Sequence, residues 1–378
     1  MLERAGGEAD LAVIETVRRF AAERLAPGAA VREKAGRIEP ELIRELGALG
    51  LFGATTDPDW GGAGLDPVTY ALALEEVAAG DGAVSTMISV HNSPTCLVLE
   101  RFGTAAQKER WLRPLASGAA VGSFALTEPG AGSDAAAIRT RAVRRDQAYV
   151  IDGAKQFISN ARIARIVVLF AVTSPGAGKN GISCFVAATD TPGFRIAKIE
   201  DKLGQKASDT CQLVFEAMEL PEDQRIGDEG EGYRIALSTL ETGRIGIAAQ
   251  SVGMARAALD CAIAYAKERE AFGRKIIDHQ AVGFRLVEAK TRLEAARQLT
   301  LSAARRERDG LPALEAACMA KLFAAEAAEE ICSAAIQTLG GYGYLADFPV
   351  ERIWRDVRVC QIYEGTSDVQ KLILQRLL

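Results

Sequence analysis

Residues 124–134 read FALTEPGAGSD, and two folds compete for them. The stretch GAGSDA at 130–135 fits the G-x-G-x-x-G/A spacing of a dinucleotide-binding turn, and Asp152 follows at roughly the 20-residue interval such a turn asks for. That fold next needs a crossover helix and a parallel strand. The residues after Ala137 alternate instead, and Asp152–Gly153 between alternating runs reads as a hairpin. The pattern therefore favours antiparallel strands over a classical NAD-binding unit. The glycines still let backbone N–H groups approach an anion or an electron-rich ring, with the hydroxyls of Thr127 and Ser133 beside them. On spacing alone, a tight, well-capped turn is the better reading.

Working outward, residues 121–225 form one compositional zone. VGSFAL, TRAVRRDQAYVIDGAKQFISN, RIVVLFAVT, GISCFVAAT, FRIAKIE and TCQLVFEAMEL are short, rich in β-branched or aromatic residues, and separated by Gly, Pro, Asp or Asn. They predict a middle antiparallel β-sheet domain. Residues 1–120 read as an N-terminal α-helical domain. DLAVIETVRRFAAERLAP has helical apolar spacing and a stop at Pro27, EPELIRELGALG ends at Gly50, and PVTYALALEEVAAGDG ends at Gly80 and Gly82. TTDPDWGGAGLD between them is a loop. Residues 226–378 are helical again. Val282, Leu286, Ala289, Leu293, Ala296, Thr300 and Ala303 make a narrow, Ala-rich stripe that suits close packing in a four-helix bundle. The fold class is α+β and multidomain, in the order α, β, α.

The chain has 378 residues, of which 48% are hydrophobic, so a large buried core is possible. Its net charge of −5 gives no sign of nucleic acid, and Arg305, Arg306 and Arg308 are interrupted by Glu307 and Asp309, as on a solvated helix face. IVVLFAV at 166–172 is far short of the ~20 residues that span a bilayer. The first residues, MLERAGGEAD, lack the apolar run of a signal peptide. Seven cysteines without a Cys-x-x-Cys spacing, and only His91 and His279, point to a reduced compartment and to no metal site. The excess of Arg over Lys and the abundance of Ala are associated with bacterial genomes rich in G and C, hence cytoplasm. With two histidines, carboxylates are the better candidates for proton transfer. One stands in QIYEGTSDVQ at 361–370, where Glu364 sits on a turn before an amphipathic helical run. Taken alone, it reads as an exposed helix-capping residue.

The whole chain resembles the acyl-CoA dehydrogenase family. FALTEPGAGSD resembles the family's first signature, KQFISN its flavin-facing strand, and KLGQKASDT its mid-domain motif. LETGRIGIAAQSVGMARAALDCAIAYAKEREAFGR is similar to its C-terminal helix pair, and QTLGGYGY and RIWRDVRVCQIYEGTSDVQ to its second signature and catalytic turn. The six strings occur in the family's order across nearly the full length.

The resemblance implies an FAD enzyme that oxidises an acyl-CoA thioester to the trans-2-enoyl-CoA, passes electrons to an electron-transfer flavoprotein, and assembles as a homotetramer. It makes Glu364 the base that takes the α-proton, with its own N–H helping to polarise the carbonyl. Burial beside an acyl chain should raise its pKa toward neutrality. Gly243 stands where some members place the base instead, and it cannot act. Carried over by position, Phe124, Leu126, Thr127, Gly132 and Ser133 meet the flavin, with Phe157, Ile158 and Ser159 on its other side. Phe157 could stack on the ring or be plain core. Arg269, Phe272 and Gln280, with Gln337 and Gly341, reach the FAD of a neighbouring subunit. Thr366 and Asp368 contact its adenosine diphosphate. Ser133, Glu241, Arg244, Tyr363 and Gly365 contact the substrate, although Arg244 could instead pair with Glu241. The chain departs from the family's usual residues at Asp59–Trp60, Ala161, Arg165 and Asp368. An acyl-CoA oxidase of the same fold would carry an extra helical domain. A flavin-binding relative with a nucleic-acid-protecting role would carry a basic one. TLETGRIGIA is most like short-chain members, while medium, branched and aryl acyl groups stay open.

Overall fold

The computed structural model describes residues 8–378. The first helix, Glu8–Phe20, does not stop at Pro27 as expected. It runs on through a π turn at Ala21–Leu25 and a 3-10 turn at Ala26–Gly28 into Ala29–Ala35. Pro27 sits at the start of its short turn, where a missing N–H costs least. The stop is Gly36, left-handed at φ 60. The helix Pro67–Gly80 ends where expected, and Asp81 at once caps the next helix, Gly82–Val90, by accepting from Ala83 N at 2.9 Å.

One eight-stranded sheet forms the middle of the chain. Its strands are β1 Gly122–Ala125, β2 Arg141–Arg145, β3 Ala148–Ser159, β4 Ile166–Val172, β5 Ile182–Ala188, β6 Phe194–Ile199, β7 Thr210–Pro221 and β8 Arg225–Ile226. The order is β6-β7-β3-β2-β4-β5-β8, with β1 beside β4. Most pairs are antiparallel, as expected, but β1 runs parallel to β4, and β2 meets β4 in parallel at Arg141 and Val172. The loop 126–140 and the β2–β3 hairpin together separate β1 from β4, which gives the long connection a parallel pair requires. The expected hairpin at Asp152–Gly153 is also corrected. The hairpin turn lies at Asp146–Gln147, with Asp146 at φ 53, while Asp152 and Gly153 are inside β3 at a bulge. There a Cβ on Gly153 would come within 2.8 Å of Thr140, so the glycine serves a close approach.

The helices Gly232–Glu268, Gln280–Arg308 and Leu314–Leu339 dominate the C-terminal part, and the short Val350–Val357 and Ser367–Gln375 pack on the last of them. Of the predicted stripe, Leu286, Ala289, Ala296, Thr300 and Ala303 are buried. The Pro67–Gly80 helix crosses Gly232–Glu268 so closely that a Cβ on Gly253 would meet Glu75 O at 2.2 Å. Ion pairs hold this crossing and tie it to the first helix and to Gln280–Arg308. Glu76 pairs with Arg18 at 3.0 Å and Arg256 at 2.6 Å, and Glu75 with Arg297 at 3.0 Å. Buried carboxylates need such partners. No helix among the described residues is long and apolar enough to cross a membrane.

Candidate active site

Both histidines are committed to structure. His91 is buried, with Nδ1 accepting from Gly122 N at 3.0 Å and Nε2 facing Leu115 O at 3.1 Å. Burial pushes its pKa down to about 4. His279 Nε2 lies 3.0 Å from Ala271 O. All seven cysteines are free thiols.

Glu364 is different. It occupies a left-handed backbone conformation, φ 54, and is followed by Gly365 at φ 90. A branched or bulky side chain is disfavoured there, and a non-glycine residue held so is a candidate for function. Its carboxylate lies against the Gly232–Glu268 helix at Gly243, where an added Cβ would be 1.9 Å from Oε2. Oε2 is buried and has no hydrogen-bond partner. Burial pushes the carboxyl up to about 7, opposed by the charges of Lys321 and Arg244. That is the direction expected from sequence, and the pKa suits a general base near neutral pH. Among the described residues no backbone carbonyl accepts from the Glu364 N–H.

The turn is held from behind. Gln370 and Lys321, both fully buried, donate to Gly365 O at 2.9 and 2.7 Å. Thr366 caps the final helix by accepting from Val369 N at 3.2 Å, and Asp368 is exposed in its first turn. Tyr363 turns its hydroxyl inward, donating to Gln250 Oε1 at 3.0 Å. Arg244 is buried with Nε unpartnered, and the alternative ion pair with Glu241 does not form. Tyr70, across the site on Pro67–Gly80, also has a buried hydroxyl without a partner and feels the charge of Glu364.

The glycine-rich loop and the β3 bulge come together as a second group. Gln156 N donates to Thr127 O at 2.8 Å. Beneath them Lys155 is buried, pairing with Glu128 at 2.8 Å and donating to Leu126 O at 3.0 Å. Above, Gly132 and Ser133 are exposed, and a Cβ on Gly132 would meet nothing within 4 Å. Phe157 is the extra residue of the bulge, at φ 59, with its ring 64% exposed. It is not core. Ser159 is half-buried, and its carbonyl accepts from Ser123 Oγ at 2.7 Å. Phe124 packs on Phe170 at 5.0 Å. Leu126 and Ile158 are buried in the sheet's core clusters, so their side chains are spent on packing.

Arg269, Phe272, Gln280, Gln337 and Gly341 are all exposed in the C-terminal part, on helices and the turns and hairpin that join them. Arg269 and Gly341 line one groove of about 610 Å³, where the Arg269 guanidinium lies 5.9 Å from the Tyr342 ring centre.

The structure thus holds a carboxyl group with a buried, unpartnered Oε2 and a pKa raised to about 7 and, as a separate group on the sheet, an open glycine loop with an exposed aromatic. Family models match each part of the chain. The acyl-CoA dehydrogenase N-terminal, middle and C-terminal domain models match residues 7–119, 123–218 and 230–378. An acyl-CoA dehydrogenase of Bacillus subtilis is 45% identical over 96% of each chain. The mitochondrial short-chain specific acyl-CoA dehydrogenase of Bos taurus is 44% identical over 95% of this chain and 87% of its own. Butyryl-CoA dehydrogenase of Megasphaera elsdenii superposes with a TM-score of 0.96, at 39% identity over 98% of each chain. A chain from an Acidaminococcus fermentans structure described as electron transferring flavoprotein gives 0.97, at 42% identity over 99% of this chain and 98% of its own.

The chain belongs to the acyl-CoA dehydrogenase family, a family of FAD-dependent oxidoreductases. The residues present fit that cofactor: the uncovered backbone at Gly132 leaves room for close approach, and the bulge presents Phe157 as a stacking face. Sequence reasoning missed Lys321, Gln370, Tyr70 and the Glu128–Lys155 pair. Only the presence of a lysine in an otherwise apolar, Ala-rich helical stretch hinted at the first.

Proposed function

We propose that the chain oxidises short-chain acyl-CoA thioesters to trans-2-enoyl-CoA, with Glu364 removing the α-proton. The carrying observation is the Glu364 carboxylate, whose Oε2 is buried and unpartnered and seated over Gly243 in an otherwise half-buried residue. A carboxylate in that state is a stronger base than one in water, because burial disfavours its charged form. The open Glu364 N–H supplies a donor for the thioester oxygen as negative charge develops there. Bound FAD would supply the acceptor for the β-hydrogen, taken as hydride. Thr127, Ser133 and Phe157 hold the cofactor from the sheet side. Ile158 and Leu126 contribute backbone and packing. Arg269, Phe272, Gln280, Gln337 and Gly341 would reach the cofactor of a second copy, in a tetramer, and Thr366 and Asp368 would hold the adenosine-diphosphate portion of an FAD. Arg244 and Glu241 serve the CoA portion, with the unpartnered Arg244 Nε as the free donor.

The preference for short acyl groups is supported by the likeness to short-chain specific and butyryl-CoA enzymes over nearly the whole chain. Electron-transfer flavoprotein is the acceptor we assign, in keeping with the Acidaminococcus fermentans match. The test is an anaerobic titration of the purified holoenzyme with straight, branched and aryl acyl-CoAs. Fast bleaching of the oxidised flavin band by butyryl-CoA, and slow bleaching by long or aryl thioesters, is expected. Bleaching by another chain class alone would overturn the substrate assignment.

A further inference from the structure

We propose that Lys321 is a positioning residue of the catalytic turn, fixing Glu364 through the Gly365 carbonyl and tuning it by charge; this rests on Glu364 being the base. Lys321 is fully buried on the Leu314–Leu339 helix. An ammonium group there is costly unless it has a dedicated partner. Its partner is not a carboxylate: no ion pair to Lys321 forms among the described residues, and Nζ donates to Gly365 O at 2.7 Å. Gln370 Nε2 donates to the same oxygen at 2.9 Å and approaches Glu364 O at 3.4 Å. Two donors therefore clasp one carbonyl, in a turn whose consecutive residues sit at φ 54 and φ 90. Such a conformation persists only where its surroundings hold it. The clasp also sets where the Glu364 side chain and N–H point, since both hang on the same two residues.

The groups facing Glu364 are Lys321 from one helix, Arg244 from Gly232–Glu268 and the Tyr70 hydroxyl from Pro67–Gly80. Cys318 and Cys360 lie around the lysine, and burial raises both thiols, so they stay neutral. Burial draws Lys321 down to about 8, which leaves it mainly protonated at neutral pH. Its positive charge opposes the burial that raises Glu364. Lys321 thus acts twice, by hydrogen bond on geometry and by charge on the protonation of the base.

Two variants separate these effects in the holoenzyme. Lys321→Gln keeps a donor and loses the charge, whereas Lys321→Met loses both. The readouts are flavin content, KM, and kcat against pH with butyryl-CoA. In both variants the acidic limb of kcat should move up by about one pH unit, the order expected for loss of a nearby opposite charge. Lys321→Met alone should also lose about 100-fold in the kcat plateau, the cost of a base misplaced by about an ångström. KM should change little in either. Unshifted limbs with an unchanged plateau would overturn the proposal, as would loss of folding in both variants, which would make the lysine structural only. Glu364→Gln run alongside separates the two readings. If it still turns over, the base assignment fails; if it is inactive while the Lys321 variants behave as wild type, only the positioning role fails.

Discussion

Among the described residues, two turns pair a non-glycine residue at positive φ with a glycine that is also at positive φ, and they are held in opposite ways. Glu364 at φ 54 is clasped by the buried side chains of Lys321 and Gln370. Phe272 at φ 52, followed by Gly273 at φ 78, forms the tip of the Glu270–Ala271/Arg274–Lys275 hairpin, and its ring is 96% exposed. Positive φ at both central residues is what a two-residue hairpin with the strands' own twist requires. The local geometry of Phe272 is therefore explained by the hairpin, but its exposure is not. A large ring left in water, in edge contact with the His279 ring alone among the described aromatic rings, suits a surface that another molecule covers. The first turn is finished within one chain. The second has the character of a part that completes something else, which is how we place it toward a neighbour's cofactor.

That contrast can be broken from either side. Short of removing the base, the largest effect should come from Gly243→Ala. Its Cβ would stand 1.9 Å from Glu364 Oε2, so the carboxylate must move. A shift of about 1 Å predicts a loss of about 100-fold in kcat with flavin retained, read by steady-state kinetics alongside the flavin spectrum. Arg269→Ala should leave the clasped turn intact and act on assembly of the cofactor site. Loss of one charge-assisted contact, about 1.5–3 kcal/mol, predicts FAD affinity weaker by roughly 10–100-fold, measurable as flavin loss on dilution or by sedimentation of the oligomer. Full retention in an intact oligomer would remove the intersubunit role.

Lowering the pH should touch only the first turn. Glu364 works as the carboxylate, and burial has raised it to about 7, so kcat should climb with pH through that value. At pH 6 it should be about tenfold below its plateau. A flat profile from pH 5 to 8 would contradict the poised carboxylate. The smallest effect should be that of Phe272→Ala, about 0.5–1.5 kcal/mol in cofactor retention if its ring meets an aromatic partner, with kcat per bound flavin unchanged.

The sequence made the order of helical, sheet and helical parts readable because hydrophobic period is a local signal. Leu286, Ala289 and Ala303 fell where the 3.6-residue stripe put them. Glu364 was legible only as part of a family-wide set of strings, since one glutamate on one turn resembles any helix cap. What stayed hidden depends on pairs distant in sequence. Lys321 and Gly365 are 44 residues apart, and nothing in ACMAKLFAAEAAEE says which way the lysine faces. Asp152–Gly153 misled for a similar reason. The dipeptide favours tight turns, but its glycine is needed by the neighbouring Thr140, which only the assembled sheet brings close. The parallel placement of β1 beside β4 is likewise a choice of partner that strand composition does not encode.

The central claim is that Glu364 is the proton acceptor, and one measurement meets it head on. Purified Glu364→Gln, loaded with FAD, is mixed anaerobically with butyryl-CoA and its visible spectrum followed beside the wild type. Glutamine keeps the shape of the side chain and has no basic oxygen, so the account predicts bound flavin, a perturbed spectrum from thioester binding, and bleaching slowed by at least about 100-fold. Bleaching at the wild-type rate would show that the proton leaves to another group.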